Sequence, residues 1–142
     1  MPVAIEVTVA PLDPVLEGEL ARVYADYPGT ASPAEVLTAV RAALAAGATL
    51  YTGVFDARHI AAMLVCGEGE TRHMRYLCVH DATRGRGVAE RLLAEVRRRE
   101  AAGGSHWLEA DFDLAQEGVP EMLLALGFIP HDGGSYRCRL AD

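Results

Sequence analysis

Cysteine is scarce. Cys66, Cys78 and Cys138 are odd in number and far apart, with no CxxC pair. Each falls in an apolar, strand-like run, so they read as buried free thiols of a reducing cytoplasm rather than as a disulfide framework. No apolar run approaches the roughly 18 residues that a membrane span requires. The opening MPVAIEVTVAPLD lacks a basic region followed by an apolar run, so no export signal is expected and the expected location is cytoplasmic. Excess positive charge is missing too: the net charge of −7 argues against a nucleic-acid partner, whose footprint would be basic. No serine lies in GxSxG, which removes the hydrolase elbow. His59, His73, His80, His106 and His131 form no HExxH pair and have no cysteine at ligand spacing, so no metal is expected. Repeats, low-complexity tracts and domain-separating linkers are absent.

What is present is a 142-residue chain, 51% apolar and 23% charged, which fits a single globular domain over residues 1–142. Val3, Ile5, Val7 and Val9 alternate as in a half-buried strand. Asp13-Pro14 supplies a helix cap and a first-turn proline, and Leu16, Leu20, Val23, Tyr24 and Tyr27 follow at helical spacing. Ser32-Pro33-Ala34-Glu35 is a capping box that opens a second helix, stopped by Gly47. Apolar strands over 49–55 and 60–66, joined by a polar turn over 56–59, suggest a hairpin. A strand over about 72–80, a long helix over about 86–102, a strand over 105–112, a helix over 119–126 and a last strand near 136–140 complete the order β-α-α-β-β-β-α-β-α-β. An α/β mixed sheet flanked by helices follows, and the unit around 73–112 should be a right-handed parallel crossover.

The informative run is LCVHDATRGRGVAERLL, residues 77–93. A strand ends, a short loop follows, and a helix begins inside a glycine pattern. The first N–H groups of a helix have no partner within it, and its dipole places partial positive charge there, so an arriving phosphate satisfies several donors at once. Gly85 and Gly87 have no side chain to block close approach, while Arg84 and Arg86 can add charge-assisted hydrogen bonds. A dinucleotide loop would need a third glycine, and a Walker loop GxxxxGK[ST]; neither is there. Arg97-Arg98-Arg99 further along reads as a solvated helix face.

The pattern V-x-x-x-x-R-x-x-G-x-A, Val79 to Ala89, resembles the acyl-CoA motif of the GNAT superfamily of N-acetyltransferases, and Leu126-Gly127-Phe128 resembles its closing signature. The resemblance spans essentially the whole chain. It implies the GNAT fold, a mixed, mostly antiparallel sheet of about six strands with four helices, and acetyl-CoA as ligand. By that resemblance the backbone of Leu77, Cys78 and Val79 pairs with the pantetheine arm. The pyrophosphate lies on the segment from Thr83 through Arg84, Gly85, Arg86, Gly87, Val88 and Ala89 to Glu90. Within the superfamily, VHDATRGRGVAERLLAEV, Trp107 with Ala110-Asp111, Glu117-Gly118-Val119, Ala125-Leu126-Gly127-Phe128 and Gly133-Gly134…Cys138 are similar to the PanZ (PanM) branch, acetyl-CoA-dependent maturation factors and regulators of aspartate decarboxylase. That branch carries a basic residue and an amide flanking the hairpin Phe where it meets the decarboxylase; here Val54 and Asp56 stand there.

Acetyl transfer to an amine, whose pKa is about 10.4 for a lysine-like group, needs a base to take the proton and a donor for the thioester oxygen. A strand N–H near Val79 is the candidate donor. The family's usual tyrosine acid, four residues before the Gly-Phe pair, corresponds to Leu123, and the strand over 72–80 carries no carboxylate. Glu109 and Asp111, two apart on a strand, share a face and are the candidate bases, with Asp113 next in line; Tyr136 is the candidate to close over the acceptor groove. His73, Tyr76 and His80 lie nearby in sequence. Each also has a bland role: a carboxylate past a strand end is commonly a helix cap or a solvated group, and a tyrosine packs its ring with its hydroxyl in water. Two functions stay open: an acetyl-CoA-dependent N-acetyltransferase acting on a primary amine, or a non-catalytic acetyl-CoA sensor that binds a protein such as aspartate decarboxylase. The chain is expected to be a monomer or homodimer, with no membrane partner.

Overall fold

The computed structural model describes residues 2–67, 69–111 and 118–140. One seven-stranded sheet runs through it in the order β1-β2-β3-β4-β5-β7-β6. The strands are β1 (Ala4–Thr8), β2 (Thr49–Phe55), β3 (Arg58–Cys66), β4 (Thr71–Val79), β5 (Trp107–Ala110), β6 (Ile129–Pro130) and β7 (Tyr136–Arg139). Only β4 and β5 are parallel, and the crossover between them contains α3 (Val88–Ala102). All other neighbours are antiparallel.

Strand alternation divides the core in two. Leu50, Ala62, Leu64 and Cys78 face α1 (Pro14–Tyr24) and α2 (Pro33–Ala45). Tyr51, Met63, Val65, Met74, Leu108 and Ala110 face α3 and α4 (Val119–Ala125). Both N-terminal helices start as their sequences require: Asp13 accepts from the Leu16 N–H at 2.8 Å, and Ser32 and Glu35 exchange both capping-box bonds at 3.1 and 2.9 Å. On the other face, Glu100 of α3 is 8% exposed and is held by the Tyr51 hydroxyl at 2.6 Å and Arg72 Nε at 2.9 Å, which anchors the end of the helix to the sheet. No helix among the described residues is long and apolar enough to cross a membrane.

Several boundaries differ from expectation. Of the four alternating residues at the start, Val7 and Val9 are 38% and 67% exposed, because β1 is an edge strand and only Val3 and Ile5 reach the core. The β2–β3 turn is two residues, Asp56 and Ala57, both at positive φ, rather than a loop over 56–59. Two-residue hairpin turns need that backbone to match the strand twist, and it is normally supplied by Asn-Gly, so the signal in the sequence was weak. The seventh strand, β6, is only Ile129-Pro130 at the sheet edge, where a proline's missing donor costs nothing.

Candidate functional site

The sheet splits where β4 outruns β5. Their pairing ends at Met74↔Ala110, closed by the Asp111 N–H donating to Met74 O at 2.9 Å, while β4 continues to Val79. A bulge sharpens the divergence. Ala62 faces Cys78, yet Leu64 faces Arg75, so Tyr76 and Leu77 together oppose one residue, Met63. Tyr76 sits at φ +57°, unusual for a tyrosine. Helix α1 holds this distortion in place: the Tyr24 hydroxyl donates to Tyr76 O at 2.8 Å, and the Cys78 thiol donates to Val23 O at 3.2 Å. Burial pushes that thiol up to about 11, so it is an inert packing group.

The resulting cleft encloses about 350 Å³. One wall is the free edge of β4, the opposite wall is Gly118, Val119 and Met122 at the start of α4, and the loop into α3 closes the end. Every residue expected to hold the cofactor lines it except Arg86, which is exposed. The α4 wall went unread in the sequence, where it appears only as a helix start.

Helix α3 begins at Val88, with Gly87 as its N-cap at φ +76° and Gly85 at φ +77° two residues earlier. A Cβ on Gly85 would meet nothing within 4 Å, so what that position demands is the left-handed backbone. The first amide of the helix with a partner in it is Arg91, bonded to Gly87 O at 3.1 Å. Among the described residues no hydrogen bond engages the amides of residues 85–90. A run of free donors at a helix start, open to a cleft, is the arrangement that an anion site requires.

The two arginines divide their work. Arg84 turns back, donating from Nε to Val79 O at 3.0 Å and from Nη2 to Asp26 O at 2.8 Å; it ties the loop to the end of β4 and to the segment after α1. Its guanidinium is thus committed to carbonyls, while Arg86 is exposed. On β4, the His80 N–H donates to Ile60 O at 2.7 Å, which makes Cys78↔Ala62 the next hydrogen-bonded pair. The N–H and C=O of Val79 therefore point to the open edge, where Arg84 takes the carbonyl and the N–H is left facing the cleft.

The candidate bases lie just before the split. His73 Nδ1 is 2.8 Å from Asp111 Oδ2 and 3.4 Å from Glu109 Oε2, and His131 Nε2 is 3.5 Å from Glu109 Oε1. Register explains the first contacts, since His73 and Glu109 are direct partners across β4 and β5. Tyr136 does not join them. It pairs with Ala110 and packs on the α3 side, whereas Glu109 and Asp111 project from the other face. His80 Nδ1 caps its own turn, accepting from the Ala82 N–H at 3.3 Å. Leu123, at the position of the family's acid, is 0% exposed in the core. Asp113, with Phe112 and Glu117, lies outside the described residues.

A strand-bulge-loop-helix unit of this kind, beside a sheet split between parallel strands, defines a GNAT domain. Solved structures agree on the fold. An N-acetyltransferase from Staphylococcus aureus Mu50 superposes with a TM-score of 0.74 at 15% identity, covering 99% of this chain and 100% of that one. A GNAT family acetyltransferase from Elizabethkingia anophelis with acetyl-CoA bound gives 0.73 at 13% identity, covering 97% and 98%. The chain belongs to the PanZ family: the model of the acetyltransferase (GNAT) domain, PanZ, matches residues 6–137. A PanD regulatory factor from Escherichia coli (strain K12) is 37% identical over 90 residues, 63% of this chain and 70% of that protein.

Proposed function

We propose that this chain, as one GNAT domain, binds acetyl-CoA in the β4/β5 cleft and uses it as the signal for engaging and regulating a protein partner in the cytoplasm. The pyrophosphate rests on the amides of residues 85–90 with Arg86 beside it, and the pantetheine arm follows the open edge of β4 past the Val79 N–H. The thioester then reaches the bulge at Tyr76. The observation that carries this reading is the run of amides without partners at the mouth of the cleft. The acetyl-CoA held by the Elizabethkingia neighbour supports the identity of the ligand. The PanD regulatory factor supports the regulatory role, and the PanZ resemblance makes an aspartate decarboxylase the first partner to test. Leu123, buried where a catalytic acid would stand, favours signalling over transfer.

A second reading, acetyl transfer to a primary amine, is favoured by the Glu109–His73–Asp111 group near the split. There one of these groups takes the amine proton and the Val79 N–H polarises the thioester oxygen. The test begins with binding. Acetyl-CoA at a hundredfold excess over its dissociation constant should stabilise the protein by about 2.7 kcal/mol, and Gly87→Leu should remove that gain; a gain that survives the substitution overturns the loop assignment. Co-purification with an aspartate decarboxylase precursor only when acetyl-CoA is present supports the regulatory reading, and thiol release with any amine of a panel supports transfer instead.

A further inference from the structure

His73, Glu109 and Asp111, brought together by β4 and the end of β5, have a geometry that the regulatory reading of the cleft leaves unused. Met74 and Ala110 face the α3 core, so their neighbours His73, Glu109 and Asp111 project from the opposite face. One donor atom from each of these three lies within 4.8 Å of the others. The remaining oxygen of Glu109 reaches His131 Nε2 at 3.5 Å. We propose that His73, Glu109 and Asp111 form a site for one divalent transition-metal ion of the zinc type, with solvent completing its shell and His131 orienting Glu109 from outside it.

Distances support this. Tetrahedral ligands bonded at about 2.0–2.2 Å stand roughly 3.3–3.5 Å from one another. The His73–Glu109 separation, 3.4 Å, already matches, and the 2.8 Å His73–Asp111 hydrogen bond opens by about half an ångström when its proton gives way to the metal. The carriers are fixed by main-chain bonds. Glu109 pairs with His73 on one side and with Arg137 on the other, and the Asp111 N–H donates to Met74 O at 2.9 Å. Side-chain exposures of 17–30% leave the donors partly desolvated yet reachable.

Chemistry selects the ion. An imidazole with two carboxylates suits Zn²⁺, Co²⁺ or Ni²⁺, whereas Ca²⁺ and Mg²⁺ prefer an all-oxygen shell. Two carboxylates balance the charge of a dication. Nearby cations do not block the site: Arg137, opposite Glu109, is stacked at 4.0 Å over Trp107, and Arg75, 3.7 Å from Asp111, has a side chain 48% exposed and free to swing outward. Spacing along the sequence hides such a set, because its members come from two separate strands and meet only through strand register.

The test uses the full chain stripped with a chelator and titrated with Zn²⁺ against a chromophoric competitor at neutral pH, without acetyl-CoA, so that its result is independent of the cleft. One equivalent should bind, more weakly as pH falls because protons are displaced. His73→Ala and Asp111→Asn should each weaken binding about tenfold or more, while His106→Ala, at an exposed histidine 3.5 Å from Glu70, should change nothing. Co²⁺ bound to the unaltered protein should show the intense visible bands of a tetrahedral site, which keeps the test decisive if a variant fails to fold. Binding that is unchanged in His73→Ala, or a Co²⁺ spectrum like that of the hydrated ion, overturns the proposal.

Discussion

Tyr24 is fully buried at the end of α1, and its hydroxyl donates to the carbonyl of Tyr76, 52 positions away, at 2.8 Å. That carbonyl belongs to the residue held at φ +57° in the β4 bulge. Desolvation holds the Tyr24 phenol well above its ordinary pKa, so it remains a donor at every physiological pH. A helix on one face of the sheet thereby fixes the distortion that opens the cleft. Tyr24→Phe should cost about 1–3 kcal/mol, since it leaves a part-buried carbonyl without a donor. It should also weaken acetyl-CoA binding, because β4 can relax toward regular pairing. Urea unfolding and calorimetry check the two effects separately, and unchanged affinity would mean that the bulge stands without the tyrosine.

Arg84 and Arg86 are two residues apart and should respond oppositely. Arg84→Gln releases the Val79 and Asp26 carbonyls, so its main effect should be a lower unfolding midpoint. Arg86→Gln touches an exposed side chain and should leave stability within about 0.5 kcal/mol. Its effect should be weaker acetyl-CoA binding with a shallower salt dependence, as expected when a screened charge contact to a phosphate is lost. Titrations at two ionic strengths distinguish them; a stability loss confined to Arg86→Gln would reverse the assignment.

The contrast between these arginines shows where sequence reasoning runs out. The helix start within residues 84–90 was legible because helix starts and glycines obey local rules: α3 begins two residues later than expected, with Gly87 as cap. The helices over residues 14–24 and 33–45 were legible for the same reason, through Asp13-Pro14 and the Ser32…Glu35 box. Side-chain direction is not local. That Arg84 folds back onto Asp26, that Tyr136 faces away from Glu109, and that His131 approaches it instead all depend on how segments far apart in the chain pack together. The bulge at Tyr76 was hidden because no glycine marks it; its support comes from Tyr24.

Acid should loosen the contact between α1 and β3. Glu19 accepts from His59 Nδ1 at 2.6 Å and from the His59 N–H at 3.1 Å, and chiefly the side-chain bond draws its carboxyl below the ordinary value of 4.5. A lowered folded-state pKa contributes stability that is present above the unfolded value and lost as pH falls through the folded one. Unfolding midpoints measured from about pH 6 down to about pH 3 should therefore drop less steeply in Glu19→Gln than in the unaltered protein, and only below about 4.5. Parallel curves would show that this carboxylate is not linked to folding.

All 13 basic residues of the chain are arginine, so it has no lysine amine to acetylate. Incubation with acetyl-CoA should leave every side chain unmodified, and any acetyl group found by intact-mass measurement on the protein should map to its N-terminus. Thiol release in an amine panel is therefore free of lysine self-modification and, once any N-terminal acetylation is subtracted, reports transfer to the added acceptor. Under the regulatory reading it should stay at the rate without protein, because the departing thiolate finds no phenol at Leu123. Installing one should not help: that side chain is 0% exposed against the α3 core, so Leu123→Tyr overpacks the interior, costs about 1–3 kcal/mol and leaves its hydroxyl short of the cleft. Turnover by the unaltered protein, lost in Asp111→Asn or His73→Ala, would establish transfer and retire the view of acetyl-CoA as a signal alone.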